Sequence, residues 1–195
     1  MTWFRVAAGL AAAGVLVRVN NVFRYPTNWG FDARFNWEYI ERLMNSWALP
    51  APGEIWVSSH PPFFYYLGGA IGRVLGTPGV DATVHAVRFV NMLFGLAAIA
   101  AAFWLVRAVA PERPWRAVLA AGLLLFLPAH IYMSAMLNEE IMASSFMSLA
   151  IVGACLATLQ VADRPSGMGW GTSGVRSCIR RPGPKIWTTK ARKSS

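Results

Sequence analysis

Acidic side chains are few in this chain, and lysine is absent from its first 162 residues. Only 14% of the 195 residues are charged, with nine Asp and Glu against eighteen Lys and Arg. Soluble domains carry about 25% charged residues, so this scarcity excludes an ordinary solvated surface. Two cysteines, Cys155 in an apolar run and Cys178 near the end, exclude a disulfide framework and offer no metal-ligand spacing. Asp, Glu, Lys and Arg are missing altogether from three long runs, Phe89–Val106, Ala117–Leu137 and Ile141–Leu159. A helix needs roughly 20 mostly apolar residues to cross the hydrocarbon core, and each run meets that test.

What is present points the same way. Hydrophobic residues make up 55% of the chain. A fourth run, Trp3–Val19, has Arg5 and Arg18 near its ends, where long side chains snorkel to headgroups. Its outline, Met1–Arg5 followed by Val6–Val17, also suits a signal peptide. Arg18-Val19-Asn20-Asn21 offers no small-residue cleavage site, so an uncleaved signal-anchor is expected. The net charge of +9 misleads as a whole-chain property, because eight of the eighteen basic residues fall from Arg164 onward with no acid among them. A basic tail beside an apolar helix marks the cytoplasmic side of a membrane, not a nucleic-acid site.

Between the first run and Phe89 lies a long connection that carries two helical patterns. In Asp32–Trp47, Phe35, Tyr39, Ile40, Leu43, Met44 and Trp47 alternate at helical spacing with Asn36, Glu41, Arg42 and Asn45. That pattern predicts an amphipathic helix at the membrane interface, ended by Pro50-Ala51-Pro52-Gly53. Pro61–Gly76 places Phe64, Leu67 and Ile71 on one stripe and Gly68, Gly72 and Gly76 on another, where a neighbouring helix can approach closely. It predicts a second interfacial helix. With that segment not crossing, four crossings put Arg5, the Arg107–Arg116 loop and the basic tail on one side, as the positive-inside rule asks. The fold class expected is all-α integral membrane, with about four transmembrane helices plus two interfacial helices in the first outer loop. Residues 1–162 form the transmembrane part. Residues 163–195, rich in Gly, Pro, Ser and Arg, read as a disordered linker or as a shifted reading frame.

The polar groups of the outer face are the candidates for chemistry. Asp32 opens the first interfacial helix, with Asn36 one turn later. His60 precedes Pro61-Pro62, and Asn138-Glu139-Glu140 begins the last span. Each has a plain structural explanation: Asp32 as an N-cap, the two glutamates at a helix N-terminus, and His60 as a solvated loop residue. His130 beside Pro128 is expected on a freed backbone carbonyl, and Arg88 as a headgroup anchor. Together, Asp32 and Glu139 with His60 and nearby arginines suit transfer from a phosphate-linked donor, one carboxylate acting as base and cations facing the leaving phosphate.

Gly30-Phe31-Asp32-Ala33, Glu38-Tyr39-Ile40 and Ser59-His60-Pro61-Pro62-Phe63-Phe64-Tyr65-Tyr66 resemble the C-type superfamily of glycosyltransferases. The likeness is strongest to the protein O-mannosyltransferase-like enzymes, and Pro128–Glu139 resembles a later stretch of that family. The similarity runs over about Trp3–Gln160. It implies an inverting transfer of a sugar from a polyprenyl-phosphate donor to an acceptor hydroxyl at the outer face of the plasma (inner) membrane. Asp32 matches the family's catalytic acid. Glu139 matches a second acidic position that binds acceptor or, in some relatives, a divalent metal. Asn138, His60, Arg34 and Asn36 fall in the matching substrate-binding stretches. Asn36 stands where many relatives have His, and Ala33 where many have a second acid. Relatives run to eight or more spans, so the chain is expected to be an N-terminal portion lacking much of the lipid-donor cavity. A non-catalytic membrane protein, such as a transporter or assembly subunit, is the alternative.

Overall fold

The computed structural model describes residues 2–76 and 80–163. Among them are seven helices and no strand: α1 (Thr2–Arg24), α2 (Ala33–Ser46), α3 (Phe63–Val74), α4 (Val80–Val109), α5 (Pro114–Leu125), α6 (Pro128–Ser134) and α7 (Glu140–Asp163). Internal packing divides the chain into two units, Met1–Leu156 and Ala157–Ser195. Every contact named below belongs to the first. The expectation for the tail beyond Asp163 lies outside the described residues.

Three helices, α1, α4 and α7, are individually long and apolar enough to cross a membrane. The fourth expected span is broken: α5 and α6 are bent by 57° and pass the same test only as a pair. These features mark a multi-pass membrane protein. The break has a local cause. Pro128 lacks an N–H and pushes Leu127 into extended backbone (φ −64°, ψ 116°), which stops α5.

The broken end leaves carbonyls without helical partners, and in hydrocarbon each such group costs several kcal/mol. Arg18 of α1 answers this. Its Nη1 donates to the Leu125 carbonyl at 2.6 Å, and Nη2 reaches His130 Nδ1 at 3.1 Å. Because a guanidinium only donates, His130 Nδ1 is the accepting nitrogen. Arg18 is fully buried, so it does not snorkel as expected, and it takes the freed carbonyl that the sequence pattern had assigned to His130. The approach depends on glycines. A Cβ on Gly14 would lie 2.3 Å from Leu125 Cγ, and one on Gly95 would lie 2.9 Å from His130 Cε1.

Two helices outrun their apolar patterns. Helix α1 continues to Arg24, past Val19, and α4 starts at Val80, before Phe89. The added first turns of α4 hold the end of α1 and the loop behind it. His85 Nδ1 donates to the Val22 carbonyl at 2.9 Å, and Thr27 Oγ1 donates to Asp81 at 2.7 Å. Arg88 is buried and donates to the carbonyls of Tyr25 (2.9 Å), Pro26 (2.9 Å) and Thr27 (3.2 Å). It is therefore a clamp on irregular backbone, not a headgroup anchor. The rigid fork of the guanidinium suits several carbonyls at once.

Helices α2 and α3 lie against each other over a glycine face. A Cβ at Gly68 would meet Ile40 Cδ1 at 2.7 Å, one at Gly69 Leu43 Cβ at 3.0 Å, and one at Gly72 Met44 Sδ at 2.5 Å. A Cβ on Gly76, expected in that stripe, would meet nothing within 4 Å; the positive φ of 69° places Gly76 after the helix, as a stop. Arg73 closes the far end of the pair, donating to the Met44 carbonyl at 2.8 Å and covering the Trp47 ring at 4.7 Å. Tyr39 and Tyr65 stack between the helices with centroids 4.0 Å apart. Ile40, Leu43, Phe64, Val84, Val87 and Leu137 join them in one core, so the pair is seated on α4 and on the α6–α7 turn.

Candidate functional site

The turn into α2 is tight and strained. Gly30 has φ 134°, and a Cβ there would press on Met136 Cγ at 3.2 Å, so only glycine fits comfortably. Two residues on, Asp32 has φ 54° and ψ 15°, the left-handed region. For an L residue this costs on the order of 1–2 kcal/mol, and Asp tolerates it better than most. An ordinary N-cap Asp sits in extended backbone and bonds a free N–H of the first turn. Asp32 makes no such side-chain bond, and its residue is exposed. The plain N-cap explanation is thus replaced by a solvent-facing carboxylate on a strained backbone.

Below it, Tyr65 of α3 gathers the remaining groups. Its hydroxyl lies 2.9 Å from Asn36 Oδ1, 3.3 Å from His60 Nδ1 and 3.4 Å from Glu139 Oε2. The single phenolic proton goes to Asn36, the shortest of these. Asn36 in turn donates Nδ2–H to the Leu137 carbonyl at 2.8 Å. His60 Nδ1 lies 2.6 Å from Glu139 Oε1, and their side chains keep 35% and 17% exposure, so the pair is open to ligands on one side. Burial pushes the Tyr65 phenol above its ordinary value, and the charges of Glu139 and Asp32 push it the same way. Tyr65 therefore stays neutral and serves as a hydrogen-bonding hub within electrostatic reach of both carboxylates.

Of the residues singled out from sequence, Asn36, His60 and Glu139 meet at Tyr65, and Asp32 lies within electrostatic reach of it. Asn36 was expected on the polar face of its helix and is instead buried, as a strut to the α6–α7 turn. Asn138 is buried and structural: its Oδ1 accepts from Glu140 N–H at 2.5 Å, and its carbonyl accepts from Asn91 at 2.6 Å. It caps α7 and lines no open surface. Arg34 stands exposed on the first turn of α2 and makes no hydrogen bond or ion pair with the cluster.

Tyr65 was missed as a site residue. The glycine face held its signal, since residues 65, 68, 69 and 72 share one side of a helix, and one further turn of the close-packed stripe lands on Tyr65.

The donor set does not fit the divalent metal that the resemblance allows. His60 and Glu139 are turned on each other, and among the described residues no three of His, Cys, Asp and Glu converge. Family models, curated proteins and solved structures give no match to this chain.

Proposed function

We propose that the chain belongs to a membrane glycosyltransferase that moves a sugar from a polyprenyl-phosphate donor to an acceptor hydroxyl. The observation that carries this reading is the exposed, unbonded Asp32 carboxylate, set on strained backbone beside the Tyr65–His60–Glu139 cluster. Strain of this kind persists where surrounding structure over-determines it, and it concentrates at functional sites. A carboxylate without a hydrogen-bond partner among the described residues, close to a membrane, is available as a general base. The acceptor oxygen bonds the anomeric carbon from the face opposite the phosphate, and its proton passes to Asp32. The carbon–oxygen bond to the phosphate breaks, and its electron pair leaves with the phosphate. The result is inversion at that carbon.

The arrangement supports an outward-facing site, and the resemblance implies the plasma (inner) membrane. The α1–α2 loop, the head of α4 and the α6–α7 turn all meet at the cluster's end, whereas Arg107, Arg113 and Arg116 fall at the α4–α5 turn. By the positive-inside rule, which weighs short loops, the arginine-bearing α4–α5 turn is cytoplasmic and the cluster faces out. In this reading α2 and α3 are the interfacial helices that close the site from the bilayer side.

The test compares sugar transfer from a polyprenyl-phosphate donor in membranes of cells with the gene, without it, and with Asp32→Asn at the chromosomal locus. Asp32→Asn is expected to lower transfer by about 10²–10⁴-fold at unchanged protein level. Transfer at the wild-type rate in that variant rejects Asp32 as base. Equal transfer with and without the gene rejects the enzyme reading and favours a non-catalytic membrane subunit.

A further inference from the structure

A phosphate leaving group needs a cation or strong donor, and four arginines among the described residues are otherwise engaged. Arg88 is buried on loop carbonyls, Arg18 is buried on the Leu125 carbonyl, and Arg73 is bonded to the Met44 carbonyl. Arg42 pairs with Glu54 at 2.6 Å. Arg34 makes no hydrogen bond or ion pair with the cluster among the described residues. Among the described groups of the cluster itself, only His60 can carry positive charge.

Its surroundings also fix which nitrogen is open. An ionised carboxylate only accepts hydrogen bonds, so the 2.6 Å contact of Nδ1 with Glu139 Oε1 requires the proton on Nδ1. The ring is thereby oriented by a carboxylate, as in metal sites and in proton-transferring dyads. Nε2, on the opposite edge of a half-exposed ring, is left for a ligand. The charged and titratable groups that face this imidazole are Glu139 at the head of α7 and the Tyr65 phenol of α3, with Asp32 beyond Tyr65. The phenol is neutral.

We propose that His60, held by Glu139, is the ligand and proton donor for the phosphate of the lipid-linked donor. The proposal rests on the glycosyl-transfer reading and assigns the leaving-group side of that site. Nε2–H bonds a phosphate oxygen in the bound donor. As the bond between the anomeric carbon and the phosphate oxygen breaks, the phosphate receives the electron pair and then the Nε2 proton. His60 is left neutral, with Nδ1–H still on Glu139, while Asp32 holds the proton taken from the acceptor. Exchange with water returns a proton to His60 and removes one from Asp32. A purely structural latch between the loop before α3 and the α6–α7 turn would need only the Nδ1 contact and would not respond at Nε2.

The experiment uses the full chain in nanodiscs with ¹⁵N-labelled histidine, titrated with farnesyl phosphate and, as the uncharged control, farnesol. Farnesyl phosphate is expected to move the His60 Nε2 resonance while Nδ1 stays protonated, and farnesol to leave both unchanged. His60→Gln should weaken farnesyl phosphate binding by about tenfold or more, as loss of a charge-assisted bond does. Arg107→Leu, at the opposite end of α4, should bind it as the unsubstituted chain does. An unmoved Nε2 resonance on binding, or equal affinity in His60→Gln, overturns the assignment even where Asp32→Asn abolishes transfer. Retention of transfer in Asp32→Asn with a phosphate-dependent Nε2 shift overturns the base and keeps the phosphate ligand. Failure of the unsubstituted chain to bind farnesyl phosphate overturns both.

Discussion

The two halves of α4 are built on different terms. Its first turns carry Thr83, Arg88 and Asn91, all fully buried, and these turns meet loops, helix ends and the candidate site. Its second half is Ala- and Leu-rich and bounds, with α1 and α5, an open apolar crevice lined by Ala7, Ala11, Leu96, Ala100 and Ala121. Both halves lie in one continuous helix, so backbone propensity does not separate them. Irregular backbone does. Where the chain leaves helical geometry beside a membrane, its carbonyls need donors, and long polar side chains from α4 supply them. Where helices run straight, alanine and leucine suffice. The polar half therefore holds shape for a site, and the apolar half holds the chain in lipid.

The strongest way to break this comparison is to remove one donor from each half. Arg88→Leu leaves the carbonyls of Tyr25, Pro26 and Thr27 without their donor. At about 1–3 kcal/mol for each buried group left unpaired, the expected loss is about 3 kcal/mol or more. Arg107→Leu, at the other end of α4, removes one exposed bond to the Pro111 carbonyl and is expected to change stability by less than about 0.5 kcal/mol. Unfolding of both variants in detergent checks the pair, and equal losses would remove the distinction between the halves. A smaller contrast comes from glycine. Gly68→Ala drives a methyl to within 2.7 Å of Ile40 Cδ1, in a core with no slack, and is expected to cost about 1–3 kcal/mol. Gly9→Ala meets nothing within 4 Å and is expected to be neutral or to stabilise α1 by up to about 1 kcal/mol. The same melts decide this. An equally harmful Gly9→Ala would mean that α1 packs against a surface not visible among the described contacts.

Much of this division was legible in the sequence, and the part that was not has a common cause. Apolar runs placed α4, α7 and the α5–α6 pair, because crossing a membrane is a matter of length and composition. The amphipathic period placed α2 almost to the residue. Sequence failed wherever a polar group served a distant carbonyl. Arg18 and Arg88 sit near the ends of apolar runs, which is also where headgroup anchors belong, and no local pattern separates the two roles. Asn36 falls on the polar side of α2 by periodicity, yet it is buried because the α6–α7 turn, a hundred residues away, offers the Leu137 carbonyl. Asp32, Asn36, His60 and Glu139 were each readable as candidates, but the meeting of the last three depends on Tyr65. That residue lies in a run of four aromatics in which only the helical face distinguishes one ring from the next.

Tyr65 gives the finest test, because one atom separates tyrosine from phenylalanine. Removing the hydroxyl deletes the 2.9 Å bond to Asn36 and is expected to cost about 1 kcal/mol at neutral pH. The pH dependence is more telling. Burial, with Glu139 and Asp32 adding to it, raises the folded-state pKa of Tyr65 above its ordinary 10.0. Below that ordinary value both folded and unfolded chains keep the proton, so Tyr65 contributes its stability in full. Above it the unfolded chain ionises first, and stability falls as pH rises. Tyr39 is shifted the same way by burial, so some alkaline loss persists in any single variant. Thermal unfolding in detergent from about pH 8 to about pH 11 should show a steep loss for the unsubstituted chain and a shallower one for Tyr65→Phe. At alkaline pH the variant is expected to be the more stable of the two, an inversion that packing loss alone would not produce. Parallel curves would show that Tyr65 is no more enclosed than an ordinary surface tyrosine. The cluster would then have no buried hub joining Asn36, His60 and Glu139.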